Sequence, residues 1–186
     1  MVSSATGFAS FDTLLGTCAV AWSADGLLGV QLPEVSALRT RDRLARRFPD
    51  ALPLEPPPAV QQAIAAMQAL LQGTPNDLLH IALDLHGVPA FHQRVYALAR
   101  AILPGATRTY GDLATELGDP SAARAVGQAL GQNPFPIVVP CHRVLAARGA
   151  MGGFSANGGV ETKRRMLAIE GAFAIGELPL FRAAEP

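Results

Sequence analysis

Residues 109–131 read Thr109-Tyr110-Gly111-Asp112-Leu113-Ala114-Thr115-Glu116-Leu117-Gly118-Asp119-Pro120-Ser121-Ala122-Ala123-Arg124-Ala125-Val126-Gly127-Gln128-Ala129-Leu130-Gly131, a stretch with two helix starts and two helix stops. Thr109 and Asp112 stand in the Thr-x-x-acid pattern of a capping box, and Gly118 ends the short helix that follows. Asp119 is placed to cap a second helix with Pro120 at its first position, running to about Gly131. Two short helices joined by a tight glycine-containing turn predict a helix-turn-helix. In the second helix Ala122, Val126, Ala129 and Leu130 form the apolar stripe, which leaves Ala123, Arg124, Gly127, Gln128 and Gly131 facing outward.

That outward face has almost no bulk. A helix with ordinary side chains is about 10–12 Å across, whereas the minor groove of DNA is about 6 Å wide. A face trimmed to Ala and Gly suits the minor groove, where bases are poorly distinguished and binding is nearly independent of sequence. Arg124, alone among small residues, is placed to fill the gap left by an extruded nucleotide. The alternative is close helix–helix packing with Arg124 as a surface charge.

Working outward, residues 90–102 set Phe91, Val95, Leu98 and Ile102 at helical spacing before Pro104-Gly105. After the pair, Ile137-Val138-Val139 predicts a buried strand that Pro140 ends abruptly at Cys141. Gly149 to Gly159 holds five glycines in eleven residues and predicts a loop or wing, and a last helix is expected over about 160–170, stopped by Gly171. Toward the N-terminus, apolar runs over 10–22 and 26–32 flank a turn at Ala24-Asp25-Gly26 and predict antiparallel strands. Helices are expected over 34–47 and 59–72 and a strand over Leu78–Leu85, with Gly87-Val88-Pro89 as a linker. Arg39, Arg41, Arg43, Arg46 and Arg47 crowd the first of these helices and read as a solvated face.

The chain has 186 residues, 49% of them hydrophobic, enough for a sizeable core. No run approaches the roughly 18 apolar residues of a membrane span, and Phe11 and Asp12 fall where a signal peptide needs an apolar run. A cytoplasmic protein is expected. Its formal charge is zero but unevenly spread, −3 over residues 1–90 and +3 over 91–186, so a polyanion should meet the C-terminal half. The two cysteines, Cys18 and Cys141, read as reduced thiols, with Cys18 in the core.

Cys141 carries the chemistry. An ordinary thiol is only about 3% ionised at neutral pH, so a nucleophilic cysteine needs a neighbour to take its proton. His142 follows it directly. Glu170 falls in the last turn of a helix, where a carboxylate opposes the dipole and needs a compensating partner. His142 is the candidate, giving a Glu170–His142–water–Cys141 relay and a lowered Cys141 pKa.

Taken together, Tyr110, Ala122-Ala123-Arg124-Ala125-Val126-Gly127, Asn133-Pro134-x-Pro136, Pro140-Cys141-His142-Arg143-Val144 and Glu170-Gly171 resemble the O6-alkylguanine-DNA alkyltransferases, also called methylated-DNA–protein-cysteine methyltransferases. The match covers about residues 87–171, with five motifs in the family's order. Residues 1–86 match in general layout only. The resemblance implies an α+β fold. An N-terminal α/β lobe with an antiparallel, RNase H-like sheet would span 1–87, a winged helix-turn-helix with the active cysteine 88–176, and a tail 177–186. It implies irreversible, single-turnover repair in which Cys141 takes the alkyl group from O6-alkylguanine, O4-alkylthymine being a further candidate.

By the same resemblance His142 and Glu170 activate Cys141, and Tyr110 sits by the phosphate of the rotated nucleotide and helps protonate the leaving guanine. Asn133 braces the turn before the cysteine. Arg124, Ala123, Gly127 and Tyr110 meet DNA, and Val144, Phe154, Ser155 and Leu130 line the base pocket, with the Ser155 N–H directed at O6. The pocket aromatic, commonly Tyr in the family, is Phe154 here, so the base keeps its stacking partner and loses a hydroxyl. Some members hold a structural zinc through two Cys and two His. This lobe has Cys18, His80 and His86, too few for four ligands, so no metal and no cofactor is expected. The expected partner is double-stranded DNA, met by a monomer away from any membrane. Two rivals of other classes are a DNA-binding module such as an unreactive lesion sensor, and a Cys-His hydrolase.

Overall fold

The computed structural model describes residues 6–172, so the expected end of the second domain at 176 and the tail 177–186 lie outside the described residues. The chain opens with β1 (Gly7–Thr13), β2 (Gly16–Trp22) and β3 (Leu27–Gln31), an antiparallel meander, and β4 (Leu52–Pro53) adds to β1 in parallel. The sheet order is β3-β2-β1-β4. The expected single strand over 10–22 is therefore two strands, turned at Leu14-Leu15. The turn was hidden because its two leucines continue the apolar run and only Gly16, at φ 123°, breaks it. The predicted turn at Ala24-Asp25-Gly26 forms, closed by Ser23 N–H to the Gly26 carbonyl at 2.9 Å. A Cβ on Gly26 would lie 2.7 Å from the Ala82 carbonyl oxygen, and φ there is 145°, so both space and conformation demand glycine.

Helix α1 (Ala37–Arg47) is capped by the Ser36 hydroxyl and lies on β2 and β3. Helix α2 (Pro58–Leu71) buries Val60, Ala63, Met67, Leu70 and Leu71. The strand expected over Leu78–Leu85 does not form beyond one bridge between Leu83 and Leu27. Its backbone instead serves Arg100, whose Nη2 donates to the carbonyls of Leu78, Leu79 and Ile81 at 2.8–3.0 Å. A cation from a later helix thus satisfies carbonyls that a strand would have paired.

The second half is built of α3 (Ala90–Arg100), β5 (Arg108–Thr109), α4 (Tyr110–Glu116), α5 (Ala123–Gly131), β6 (Val144–Leu145) and α6 (Gly159–Ile169). The capping box forms as read, with Asp112 N–H to the Thr109 hydroxyl at 3.1 Å and Thr109 N–H to the Asp112 carboxylate at 2.7 Å. Asp119 also caps, but residues 120–122 form a 3-10 turn and α5 begins only at Ala123. One apolar core extends from Phe11 and Trp22 through Tyr96 and Val126 to Met166. Two hydrogen bonds fix its polar edges: Tyr96 Oη donates to the Ala129 carbonyl at 3.0 Å, and Val30 N–H on β3 donates to the Pro134 carbonyl at 2.9 Å. Among the described residues no helix is long and apolar enough to cross a membrane.

Candidate active site

Cys141 does not end a strand. Residues 136–139 turn tightly, with Ile137 at φ 77°, and Cys141 opens a one-turn 3-10 helix, Cys141–Arg143. A β-branched residue in the left-handed region is strained, so something must hold it. Asn133 does, from both sides: its Nδ2 donates to the Val139 carbonyl at 2.9 Å while its Oδ1 accepts from Phe135 N–H at 2.9 Å. The three apolar side chains are buried, as the sequence required, but the segment's conformation is set by an amide four residues upstream.

After the 3-10 turn the chain enters β6, which pairs in parallel with β5, and β5 leads directly into Tyr110. That two-residue ladder brings Tyr110 to the cysteine. Its ring rests by Gly127 of α5 and Gly152 of the glycine-rich loop, where added Cβ atoms would lie 3.9 and 3.3 Å from it. Tyr110, Ala123, Arg124, Gly127, Leu130, Cys141, Phe154 and Ser155 together line one cavity of about 550 Å³. Asn133 lines a neighbouring cavity of about 480 Å³ that also reaches Cys141. Val144 stands behind the wall, buried, with its carbonyl accepting from Lys163 Nζ at 2.7 Å.

His142 is wholly buried, and its Nε2 lies 2.9 Å from Glu170 Oε1. The expected pairing is present, but Glu170 has a second partner that the sequence reading missed. Arg143, 1% exposed, donates from Nε and Nη2 to the two Glu170 oxygens at 2.8 Å each, and from Nη1 to the Ile102 carbonyl. Burial alone would raise the Glu170 carboxyl, yet the hydrogen bonds and charges of His142 and Arg143 hold it down at about 2. Burial lowers the His142 pKa against the pull of Glu170, which favours the neutral ring. A neutral ring donating from Nε2 to an ionised carboxylate has its lone pair on Nδ1, and among the described residues that buried atom has no hydrogen-bond partner. The arrangement presents a proton acceptor one residue from the thiol.

Cys141 itself departs from the expected lowered pKa. Burial pushes the thiol up, opposed by the Asn133 side chain, the Lys163 charge and the backbone N–H groups of Cys141 and His142. Lys163 is a second residue the sequence reading missed. It is fully buried on α6, 5.9 Å from the Tyr110 ring centroid, and burial lowers its pKa to about 8. Nothing in Glu161-Thr162-Lys163-Arg164-Arg165 separates one basic residue from the next, but helical position does: Lys163 lies on the face of Met166 and Leu167. Its charge favours the thiolate over the thiol.

Three comparisons bear on this site. The DNA-binding domain of 6-O-methylguanine DNA methyltransferase, as a family model, matches residues 90–172. A methylated-DNA–protein-cysteine methyltransferase of Mycobacterium tuberculosis is 42% identical over 125 residues, covering 67% of this chain and 73% of the relative. The chain belongs to the methylated-DNA–protein-cysteine methyltransferase family. A relative of that name from Methanothermobacter thermautotrophicus is 32% identical over 158 residues, 85% of this chain and 81% of its own. The crystal structure of the M. tuberculosis O6-methylguanine methyltransferase superposes with a TM-score of 0.71 at 33% identity, covering 95% of this chain and 99% of that one. A structure of the same organism's protein in complex with DNA superposes with a TM-score of 0.69 at 32% identity, covering 89% and 93%. Family membership extends over both halves of the fold, including the N-terminal half that resembled the family in general layout only.

Proposed function

We propose that this family member reverses alkylation damage in DNA by moving the alkyl group of O6-alkylguanine onto Cys141, once per molecule. The observation that carries the reading is the thiol at the wall of the 550 Å³ cavity, followed in the chain by an imidazole whose Nδ1 has no hydrogen-bond partner among the described residues and whose ring is oriented by a buried carboxylate. Residues 88–176 act as a winged helix-turn-helix, α4 and α5 being the pair and the loop before α6 the wing. The β3-β2-β1 meander with parallel β4 supports an RNase H-like lobe over 1–87.

DNA is met through the minor groove without sequence preference, by a cytoplasmic monomer. The exposed Arg124 beside Ala123 and Gly127 replaces the extruded base, whose unstacking costs a few kcal/mol. The base enters the cavity, stacks on Phe154, and turns O6 toward the Ser155 N–H. The sulfur lone pair attacks the alkyl carbon as its bond to O6 breaks. The thiol proton passes through a bridging water to His142 Nδ1, and Glu170 stabilises the imidazolium. Burial, then the nearness of Cys141, raises the Tyr110 pKa, so its hydroxyl stays protonated and fit to donate to the leaving guanine. The product is a thioether with no acyl carbon for water to attack, so the cysteine is spent.

Incubation with a duplex carrying O6-methylguanine should add one CH2 in mass to the peptide containing Cys141, with one equivalent of lesion consumed. Tight binding without that mass gain favours a lesion sensor, and repeated turnover on an ester favours a Cys-His hydrolase. Arg124→Ala should slow repair of the duplex far more than reaction with free O6-benzylguanine, which needs no extrusion. Equal losses on the two substrates would remove the arginine from the flipping step.

A further inference from the structure

Cys141 lines two cavities. The 550 Å³ cavity beside α5 is the one assigned to the base, and the alkyl-transfer reading above is taken as its occupant. The second, about 480 Å³, is lined by Cys141, Pro136 and Phe154 together with Arg43, Arg46 and Arg47 of α1. The two meet at Gly131, Cys141, Phe154 and Ser155. Gly131 contributes no side chain at this junction, and a Cβ there would touch nothing within 4 Å. The two cavities therefore share the residue that carries the sulfur as part of their walls.

Three of the five α1 arginines that read as a solvated face thus border the reacting atom's surroundings. Arg43 is paired with Glu34 Oε1 at 2.8 Å, but among the described residues no carboxylate forms a salt bridge with Arg46 or Arg47. The cavity is therefore positive. Displacement at carbon requires sulfur, carbon and O6 in line, so whatever else the carbon bears must project sideways from that line. With the base filling the first cavity, the second offers space beside Cys141. A methyl group does not extend into it.

We propose that the second cavity is a subsite for the distal part of the adduct, and that its arginines favour O6 substituents ending in an anion, O6-carboxymethylguanine being the simplest. A guanidinium fork matches a carboxylate in shape and charge. The transfer balances without a co-reactant. The sulfur forms a bond to the CH2 carbon, the carbon–O6 bond breaks with its pair going to the guanine, and the proton given up by Cys141 ends on the guanine. The products are guanine and S-carboxymethylcysteine.

The test uses the full chain and three duplexes of one sequence, carrying O6-methylguanine, O6-carboxymethylguanine, or the neutral, isosteric O6-carbamoylmethylguanine. Because the last two differ in intrinsic reactivity, the quantity read is the quotient of their transfer rates, compared between proteins. Replacing both Arg46 and Arg47 by Gln should lower the quotient roughly fivefold to tenfold, the range for charge-assisted contacts at a partly exposed site. Replacing both by Lys should restore part of it. In the wild type, raising the ionic strength should lower the quotient too, since effects on DNA binding cancel in it. An unchanged quotient overturns the subsite, and so does an equal loss on all three lesions, the mark of arginines that hold a DNA phosphate instead. Failure of the wild type to accept the methyl group would instead overturn the alkyl-transfer reading itself.

Discussion

Cys141→Ala is expected to abolish alkyl transfer while leaving lesion binding intact. At the junction of the two cavities the thiol is the group able to form a stable bond to carbon at neutral pH: Ser155 there and Asn133 nearby lack a basic lone pair, and Lys163, which lines neither cavity, donates to the Val144 carbonyl. In the proposed reading recognition is carried elsewhere, by Arg124, Ala123 and Gly127 on α5 and by Phe154, which line the 550 Å³ cavity with Cys141. Removing one sulfur from a buried position leaves a small void worth about 1 kcal/mol, too little to unfold the domain. Anisotropy with a labelled O6-methylguanine duplex should therefore report wild-type affinity, while protein-bound methyl label stays at background. Loss of both would make Cys141 a structural residue. Transfer surviving the substitution would move the acceptor to another atom.

The parts of this site legible in sequence are those fixed by local rules. The capping box of Thr109 and Asp112, the cap at Asp119 and the bare outer face of α5 depend on residues within a turn or two of each other; all three are present, although the Asp119 cap opens a 3-10 turn and α5 itself begins three residues later than its residues predicted. Burial was legible for Ile137-Val138-Val139, but conformation was not. A fully apolar run carries no period to tell strand from turn, and the deciding amide, Asn133, acts across the segment. Arg143 and Lys163 were hidden for a different reason. A basic residue reads as exposed unless its counter-charge or carbonyl is known, and theirs lie 27 and 19 residues away along the chain. The α1 arginines show the converse: their crowding was plain, but their position facing Cys141 depends on how the sheet seats against the Asn133-Pro134 turn.

Glu170→Gln is expected to cost both stability and rate, and the two costs can be separated. The substitution leaves the Arg143 guanidinium buried without its counter-charge and sets an amide NH2 against its N–H donors. Breaking a buried pair from one side costs about 3–5 kcal/mol. Linkage gives a similar size: a carboxyl held at about 2 when folded, against 4.5 ordinarily, corresponds to about 3 kcal/mol. Because the folded pKa is depressed, that stability is fully present above pH 4.5 and is lost as the pH falls through 2. Urea midpoints should decline over that window in the wild type and lose this component in the variant. Rate should fall further than stability explains, by about 10²–10⁴, because the His142 imidazolium loses the carboxylate that stabilises it. Replacing Glu170 and Arg143 together by Leu removes the stranded charge and should recover much of the stability, as apolar replacements of buried pairs do. Transfer should remain slow in that double variant, since His142 still lacks its partner. Recovery of the rate along with the stability would reduce Glu170 to a brace for the Cys141–Arg143 turn and leave the proton of Cys141 to another acceptor.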